Sequence, residues 1–350
     1  MTVVAFSPDR EIPVPPRDAD GWERCAQRVA AIEARWAGAY ALHHYDFVYH
    51  RRLQGHWPAR LRRDVAIRCA YTAWGDPSLP LLLCVGGIVN TARRFDYLAH
   101  RLSDRFHVVA LDWVGRGLSG WMPVQGDYNL ATYCAQVLAL LRHLGRRRML
   151  LLGSSLGGSV GLALAARDPG LIDRLVLNDV GPYIPAARRA RRAQAVARHY
   201  LFDSPDALLR RVGAAQKQDG PLSEEERLHN AWHQTCWSQT EGGRIYRHDP
   251  RAMQAYADGA GQALDQWAEW GLLTVPTLVL HGMLSDALRP PVLARMGRYP
   301  GLCVAHVPQT GHTPALSDPN QIDMIGGFLA GSGPDGPCSI PVTPTALRHG

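Results

Sequence analysis

Met149-Leu-Leu-Leu-Gly153-Ser154-Ser155-Leu156-Gly157-Gly158-Ser159-Val160-Gly161 decides how the rest of this chain is read. An apolar run enters Gly-Ser-Ser-Leu-Gly, and a good helix, Gly158–Ala166, follows. A GxSxG at a strand–turn–helix junction is a nucleophile elbow. The reason is steric: the serine sits on a sharp, strained turn, and glycines on either side let strand and helix approach closely. The hydroxyl then stands above the sheet, at a helix N-terminus whose dipole favours developing negative charge. The same pattern matches Gly157 to Gly161, but Ser159 would lie inside the helix with no strand before it. Ser155 is therefore the expected nucleophile.

Outward from this junction, short apolar runs alternate with helical segments. The runs are Val65–Tyr71, Leu81–Val85, His107–Leu111, Met149–Leu152, Leu175–Leu177, Thr277–Leu280 and Leu302–Val307. Helix candidates lie near 91–102, 128–144, 157–167, 288–298 and 318–330. This alternation predicts an α/β fold with a mostly parallel sheet covered on both faces. Residues 183–271 break the rhythm: they are rich in Arg, Ala, His and Trp, read as helical, and hold no convincing strand. Trp22, Cys25, Val29, Ile32 and Trp36 recur at helical spacing, so 18–55 reads as largely helical behind a Pro-rich start. The Gly/Pro/Ser-rich end reads as a loose tail. The expected division is a helical extension at 1–62, a core at 63–182 and 272–330, a helical insertion at 183–271 and a flexible tail at 331–350.

The composition of the 350 residues, 46% hydrophobic and 20% charged, is that of a globular protein and excludes wholesale disorder. The net charge of +7 is almost all arginine, Lys217 being the only lysine. It reads as composition rather than as a nucleic-acid footprint. Arg188–Arg192 reads as a solvated helix face rather than as a receiver of acidic substrate. Cysteines at 25, 69, 84, 134, 236, 303 and 338 form no CxxC pair, against a zinc ribbon, a redox motif or a disulfide scaffold. Cys84 and Cys303 read as buried core thiols, and a reducing compartment follows. No apolar stretch approaches the ~18 residues a membrane span needs. The start has no basic region leading into a long apolar core. The expectation is a soluble, cytoplasmic monomer or homodimer with no membrane or nucleic-acid partner.

Neither cofactor nor metal is expected. Gly115 to Gly120 matches GxGxxG, but Trp121-Met-Pro123 follows where a dinucleotide site needs a helix. There is no P-loop. His233 and Cys236 lack a matching second ligand pair. His43, His44, Asp46 and His50 read as surface or packing residues.

A serine hydroxyl is a weak nucleophile without a base. His312, in Gly311-His312-Thr313-Pro314 after the run Leu302–Val307, is the expected base. An acid must hold the imidazole and stabilise its cation. Asp286, in His281-Gly-Met-Leu-Ser-Asp286, leaves room for a helix and a strand before His312 and is the expected acid. Asp179, after the run Leu175–Leu177, is its rival, read as bonding loop backbone. On that reading Asp286→Asn is severe and Asp179→Asn mild. The oxyanion needs two backbone donors. They are expected from the amides of Leu156 and of Ile88, in the loop Gly86-Gly87-Ile88-Val89-Asn90.

The order Ser155…Asp286…His312, each after a strand, resembles the α/β-hydrolase superfamily over about residues 64–330. Asp112-Trp-Val-Gly-Arg-Gly-Leu-Ser119 resembles the loop those enzymes carry after their fourth strand. Asn178-Asp179-Val-Gly-Pro182 is similar to a segment of a bacterial subgroup with a helical cap. The resemblance implies an eight-stranded sheet with a cap at 183–271, and Gly87 and Trp113 at the substrate. It departs at Gly86, where such enzymes usually have His, and in the extension 1–62. The aromatics of 183–271, among them Trp232, Tyr246, Tyr256 and Trp267, give a mild preference for an apolar or aromatic group. The implied function is a serine hydrolase cleaving a small carboxylic ester or lactone through an acyl-enzyme, with no cofactor. Carbon–carbon, amide or acyl-transfer chemistry on the same three residues is the alternative, and a non-catalytic binding protein on this scaffold is another.

Overall fold

In the computed structural model, which describes residues 14–50, 64–216, 219–332 and 338–342, nine strands form one sheet. They are Tyr40–His50 (β1), Asp64–Trp74 (β2), Leu81–Val85 (β3), His107–Leu111 (β4), Met149–Ser154 (β5), Ile172–Asn178 (β6), Thr277–Gly282 (β7), Leu302–Val307 (β8) and Cys338–Pro341 (β9). Their spatial order is β1-β2-β4-β3-β5-β6-β7-β8-β9. β2 runs antiparallel to β1 and β4, and every other neighbouring pair is parallel. Side chains along the central strands divide between two apolar layers. Leu81, Leu83, Val85, Leu151 and Val279 join one, and Leu82, Cys84, Leu150, Leu152 and Leu278 the other. This two-sided burial is why these strands read as unbroken apolar runs. The helices Leu130–His143 and Leu156–Arg167 make the crossovers on either side of β5.

Three segments differ from the sequence expectation. Among the described residues of the N-terminal segment only Ala19–Ala34 forms an α-helix, with the Asp18 side chain accepting from the Gly21 amide. Tyr40–His50 is a full-length strand on β2. Tyr45, Phe47 and Tyr49 are buried between exposed neighbours, a period of two that a helix cannot satisfy. The insertion between β6 and β7 is not wholly helical. It carries a small sheet of Leu201–Phe202, Gly243–Tyr246 and Thr235–Ser238, and a pairing of Tyr183–Ile184 with Leu264–Asp265. The expected tail contributes β9, the ninth strand. Cys84 is a buried free thiol, as expected, whereas Cys303 is disulfide-bonded, so the cysteine argument for a reducing compartment loses a premise. Among the described residues no helix is long and apolar enough to cross a membrane.

A buried polar knot ties the first helix to the insertion and the core. Arg93 pairs with Glu33 and Asp96, His229 Nε2 lies 3.1 Å from Asp96, and His233 Nε2 lies 3.0 Å from Glu33. Burial pushes the His233 imidazole down to about 4, against the pull of Glu33 and with help from His229 and Arg93. Contact with His233 and Arg93 holds Glu33 at about 2, so it stays charged through that range. The unfolded chain protonates this histidine near its ordinary value, so between about pH 6.5 and 4 it binds the extra proton. Stability therefore falls as pH falls through that window, on the order of 3 kcal/mol from His233 alone. Melting temperatures of the wild type should drop across it, and those of His233→Asn should drop less. A wild-type melting temperature level from pH 7 to pH 4.5 would contradict this.

Candidate active site

The carboxyl ends of the parallel strands carry every element of the site, the position where open α/β sheets place ligands. Ser155 follows β5 with φ 50° and ψ −111°, and the helix Leu156–Arg167 starts directly after it. The elbow closes this tightly only without side chains. A Cβ on Gly157 would lie 2.2 Å from the Val85 carbonyl oxygen, and one on Gly153 would lie 2.5 Å from the Gly157 backbone. Ser159 lies inside that helix, one turn on, as the sequence implied.

His312 stands in the loop after β8. Its Nε2 lies 3.2 Å from Ser155 Oγ and its Nδ1 2.9 Å from a carboxylate oxygen. That carboxylate belongs to Asp179, not to Asp286. Asp179 directly follows β6, with φ 51°, and is fully buried. It accepts from the Gly282 amide at 2.9 Å, from the Ser285 hydroxyl at 2.5 Å and from His312. These donors satisfy a carboxylate inside the protein and fix the imidazole. Asp286 instead turns outward. Its side chain is 59% exposed and pairs with Arg188 at 3.4 Å and Arg191 at 3.3 Å. Partial burial would raise its pKa, but Arg188 and Arg191 more than offset that and hold it below the usual carboxylate range. Ser285 is the reason: by bonding both Asp179 and the amides of Ala287 and Leu288, it turns the loop so that the next residue faces the arginines.

The loop after β3 is held by its carbonyls. Gly86 O accepts from Trp113 Nε1 at 2.8 Å and from the Gly157 amide at 3.2 Å. Ile88 O accepts from Arg116 Nε at 2.9 Å, and Val89 O from Gln234 Nε2 at 3.2 Å. Ile88 and Leu156 both border the cavity above Ser155, and no hydrogen bond from either amide to another described residue exists. Trp113 does not border the cavity. It is fully buried, and its part is to hold the Gly86 carbonyl, whereas Gly87 does line the space. Arg116, 1% exposed, lies within the GxGxxG match of Gly115 to Gly120, where no sequence signal marks its role. Its guanidinium also reaches Val114 O and the Tyr133 hydroxyl, so this loop is fastened without the customary histidine.

The cavity has a volume of about 830 Å³ and is closed on the far side by the insertion. Tyr246 and Tyr256 reach it, while Trp232, Trp237, Trp267 and Trp270 pack elsewhere. The helix Ala186–Val196 does not present a merely solvated arginine face: Arg188 is buried, and Arg188 and Arg192 line the cavity.

His233 faces Glu33 and His229 rather than Cys236, and these three bring possible ligand atoms within 4.8 Å of one another. Arg93 pairs with both Glu33 and Asp96. His43 stacks on Tyr71, and His44 is exposed on the opposite face of β1. The His50 side chain lies outside the described residues.

Comparison with known proteins agrees with this architecture. The family model of the alpha/beta hydrolase fold matches residues 80–319. A 3-hydroxybutyrate-oligomer hydrolase of Cupriavidus necator is 30% identical over 276 residues, which are 76% of this chain and 94% of that protein. A 2-(acetamidomethylene)succinate hydrolase of Mesorhizobium japonicum is 30% identical over 235 residues, 67% of this chain and 81% of that one. Among solved structures, an alpha/beta hydrolase from Novosphingobium aromaticivorans superimposes with a TM-score of 0.69 at 27% identity, covering 83% of this chain and 98% of its own.

Proposed function

Since the chain belongs to the α/β-hydrolase family, we propose that it is a serine hydrolase of small carboxylic esters, and that short oligoesters of hydroxy acids are its substrates. The observation that carries this reading is the continuous array Ser155–His312–Asp179 opening into the cavity. Ser155 Oγ attacks the ester carbonyl while His312 Nε2 takes its proton. Asp179 stays ionised and stabilises the imidazolium that forms. The amides of Leu156 and Ile88 receive the developing oxyanion. His312 then protonates the leaving alcohol, and a water activated by the same imidazole releases the acid from Ser155. Residues 183–271 act as a cap that shapes the acyl and alcohol sites. The oligoester assignment is supported by the relative that matches this chain over most of both lengths and is named for 3-hydroxybutyrate oligomers.

The test is fluorophosphonate labelling followed by turnover of a panel: 3-hydroxybutyrate dimer and trimer, and aryl esters of short to long acids. Labelling at Ser155 with turnover of the hydroxybutyrate oligomers is the expected result. Labelling without turnover of any ester would transfer the array to carbon–carbon, amide or acyl-transfer chemistry. Failure of the wild type to label would favour the binding-protein alternative.

A further inference from the structure

Six arginines border the cavity above Ser155 against two aspartates, Asp219 and Asp286. Both aspartates are already engaged. Asp219 pairs with Arg94 at 2.8 Å, and Asp286 with Arg188 and Arg191. Arg211 donates to the Tyr200 hydroxyl, and Arg189 to the Gln262 carbonyl. Arg192 is different. It lies one helical turn beyond Arg188 on the same face of Ala186–Val196. It borders the cavity, and among the described residues it makes neither a hydrogen bond nor an ion pair. Burial, and next the Arg188 cation, lower the pKa of its guanidinium, while Tyr256, Tyr246 and Asp219 act weakly in the other direction. An arginine remains charged even so. A guanidinium half-withdrawn from water without a partner is costly. Nothing in the packing of this helix calls for it, since Ala193 and Val196 make its apolar contacts.

We propose that Arg192, seconded by Arg188, is a carboxylate subsite: it holds a free acid group of the substrate away from the ester that Ser155 attacks. The planar fork of a guanidinium matches the two oxygens of a carboxylate. Arg188 is already engaged by Asp286, which leaves Arg192 as the cavity guanidinium with no partner among the described residues. A single free fork matches one carboxylate. The substrate class that follows is an ester carrying one free carboxylate, as a hydroxy-acid oligomer does at its acid end. This inference rests on the ester-hydrolase reading and narrows it.

The experiment compares the free acid and the methyl ester of the 3-hydroxybutyrate dimer, which differ only at the far carboxyl group. The wild type should prefer the free acid in kcat/KM, through KM. In Arg192→Met that preference should fall about 100-fold, the worth of a charged hydrogen-bonded pair. Arg192→Lys should recover part of it. The melting temperature of Arg192→Met should be unchanged or raised, because an unpaired charge has been replaced by an apolar chain; a merely structural arginine would show a loss. Calorimetric titration of the Ser155→Ala protein with 3-hydroxybutyrate supplies a readout that needs no turnover. Binding there should weaken at least tenfold when Arg192→Met is added, and inorganic phosphate should bind less well than the carboxylate. Equal preference for acid and methyl ester in the wild type, together with carboxylate binding indifferent to Arg192, would overturn the subsite. If the methyl ester and aryl esters also fail to turn over, the ester reading falls separately, and the titration still decides the subsite.

Discussion

Ser155→Ala should lower kcat by about six orders of magnitude, the loss expected when the nucleophile of a cooperating serine array is removed. The fold should be retained. Alanine keeps the Cβ that Ser155 already carries at φ 50°, so the strain of the elbow is unaltered, and among the described residues Ser155 Oγ bonds His312 alone. The melting temperature should therefore stay within a few degrees of wild type, and covalent labelling by a fluorophosphonate should vanish. His312 keeps its bond to Asp179, so the residual rate reports what the cavity and oxyanion amides achieve with water as the nucleophile. A variant retaining a tenth of wild-type turnover would mean that the reacting atom is not Ser155 Oγ.

Much of this arrangement is legible in the sequence because it follows from local rules. β5 and the elbow are written in consecutive residues: an apolar run, a serine between glycines, a helix. The loop of His312 is marked by a strand before it and a helix after it. Chain order, however, does not distinguish the two acids. β6 and β7 are neighbours in parallel register, with Asn178 opposite Leu280, so Asp179 and the loop holding Asp286 emerge at the same edge of the sheet. What separates them is tertiary: the Gly282 amide and Ser285 hydroxyl aimed at one, and a pair of arginines from a distant helix aimed at the other. The same limit hid β1. Its inward residues Tyr45, Phe47 and Tyr49 fall at every second position, but the exposed apolar Leu42 and Val48 blur that alternation, and a helical period precedes it. β9 lies in a Gly/Pro-rich stretch and exists through pairing with β8, which no local signal announces. Arginine spacing at 188 and 192 was visible, but which side of the helix faces a cavity was not.

Asp179→Asn should lower kcat by about four orders of magnitude, whereas Asp286→Asn should leave it within threefold, the reverse of the ranking that chain order suggests. Three donors converge on the Asp179 carboxylate: the Gly282 amide, the Ser285 hydroxyl and the His312 ring. An asparagine in its place has one acceptor oxygen. Either it turns its amide group toward His312 and imposes the tautomer that cannot accept the serine proton, or it turns that group into the Gly282 amide. In both orientations the negative charge that stabilises the imidazolium is gone. Asp286 is in another position altogether. More than half of its side chain is exposed, and its ion pairs with Arg188 and Arg191 are long, so their loss should cost under about 1 kcal/mol of stability. Releasing Arg188 should even tighten the hold on an acidic substrate, lowering KM for the 3-hydroxybutyrate dimer while kcat stays level. Steady-state kinetics of both variants on one aryl ester and on the dimer measure all of this together. A severe Asp286→Asn beside a mild Asp179→Asn would return the acid to the loop after β7 and require that loop to swing toward His312 during turnover.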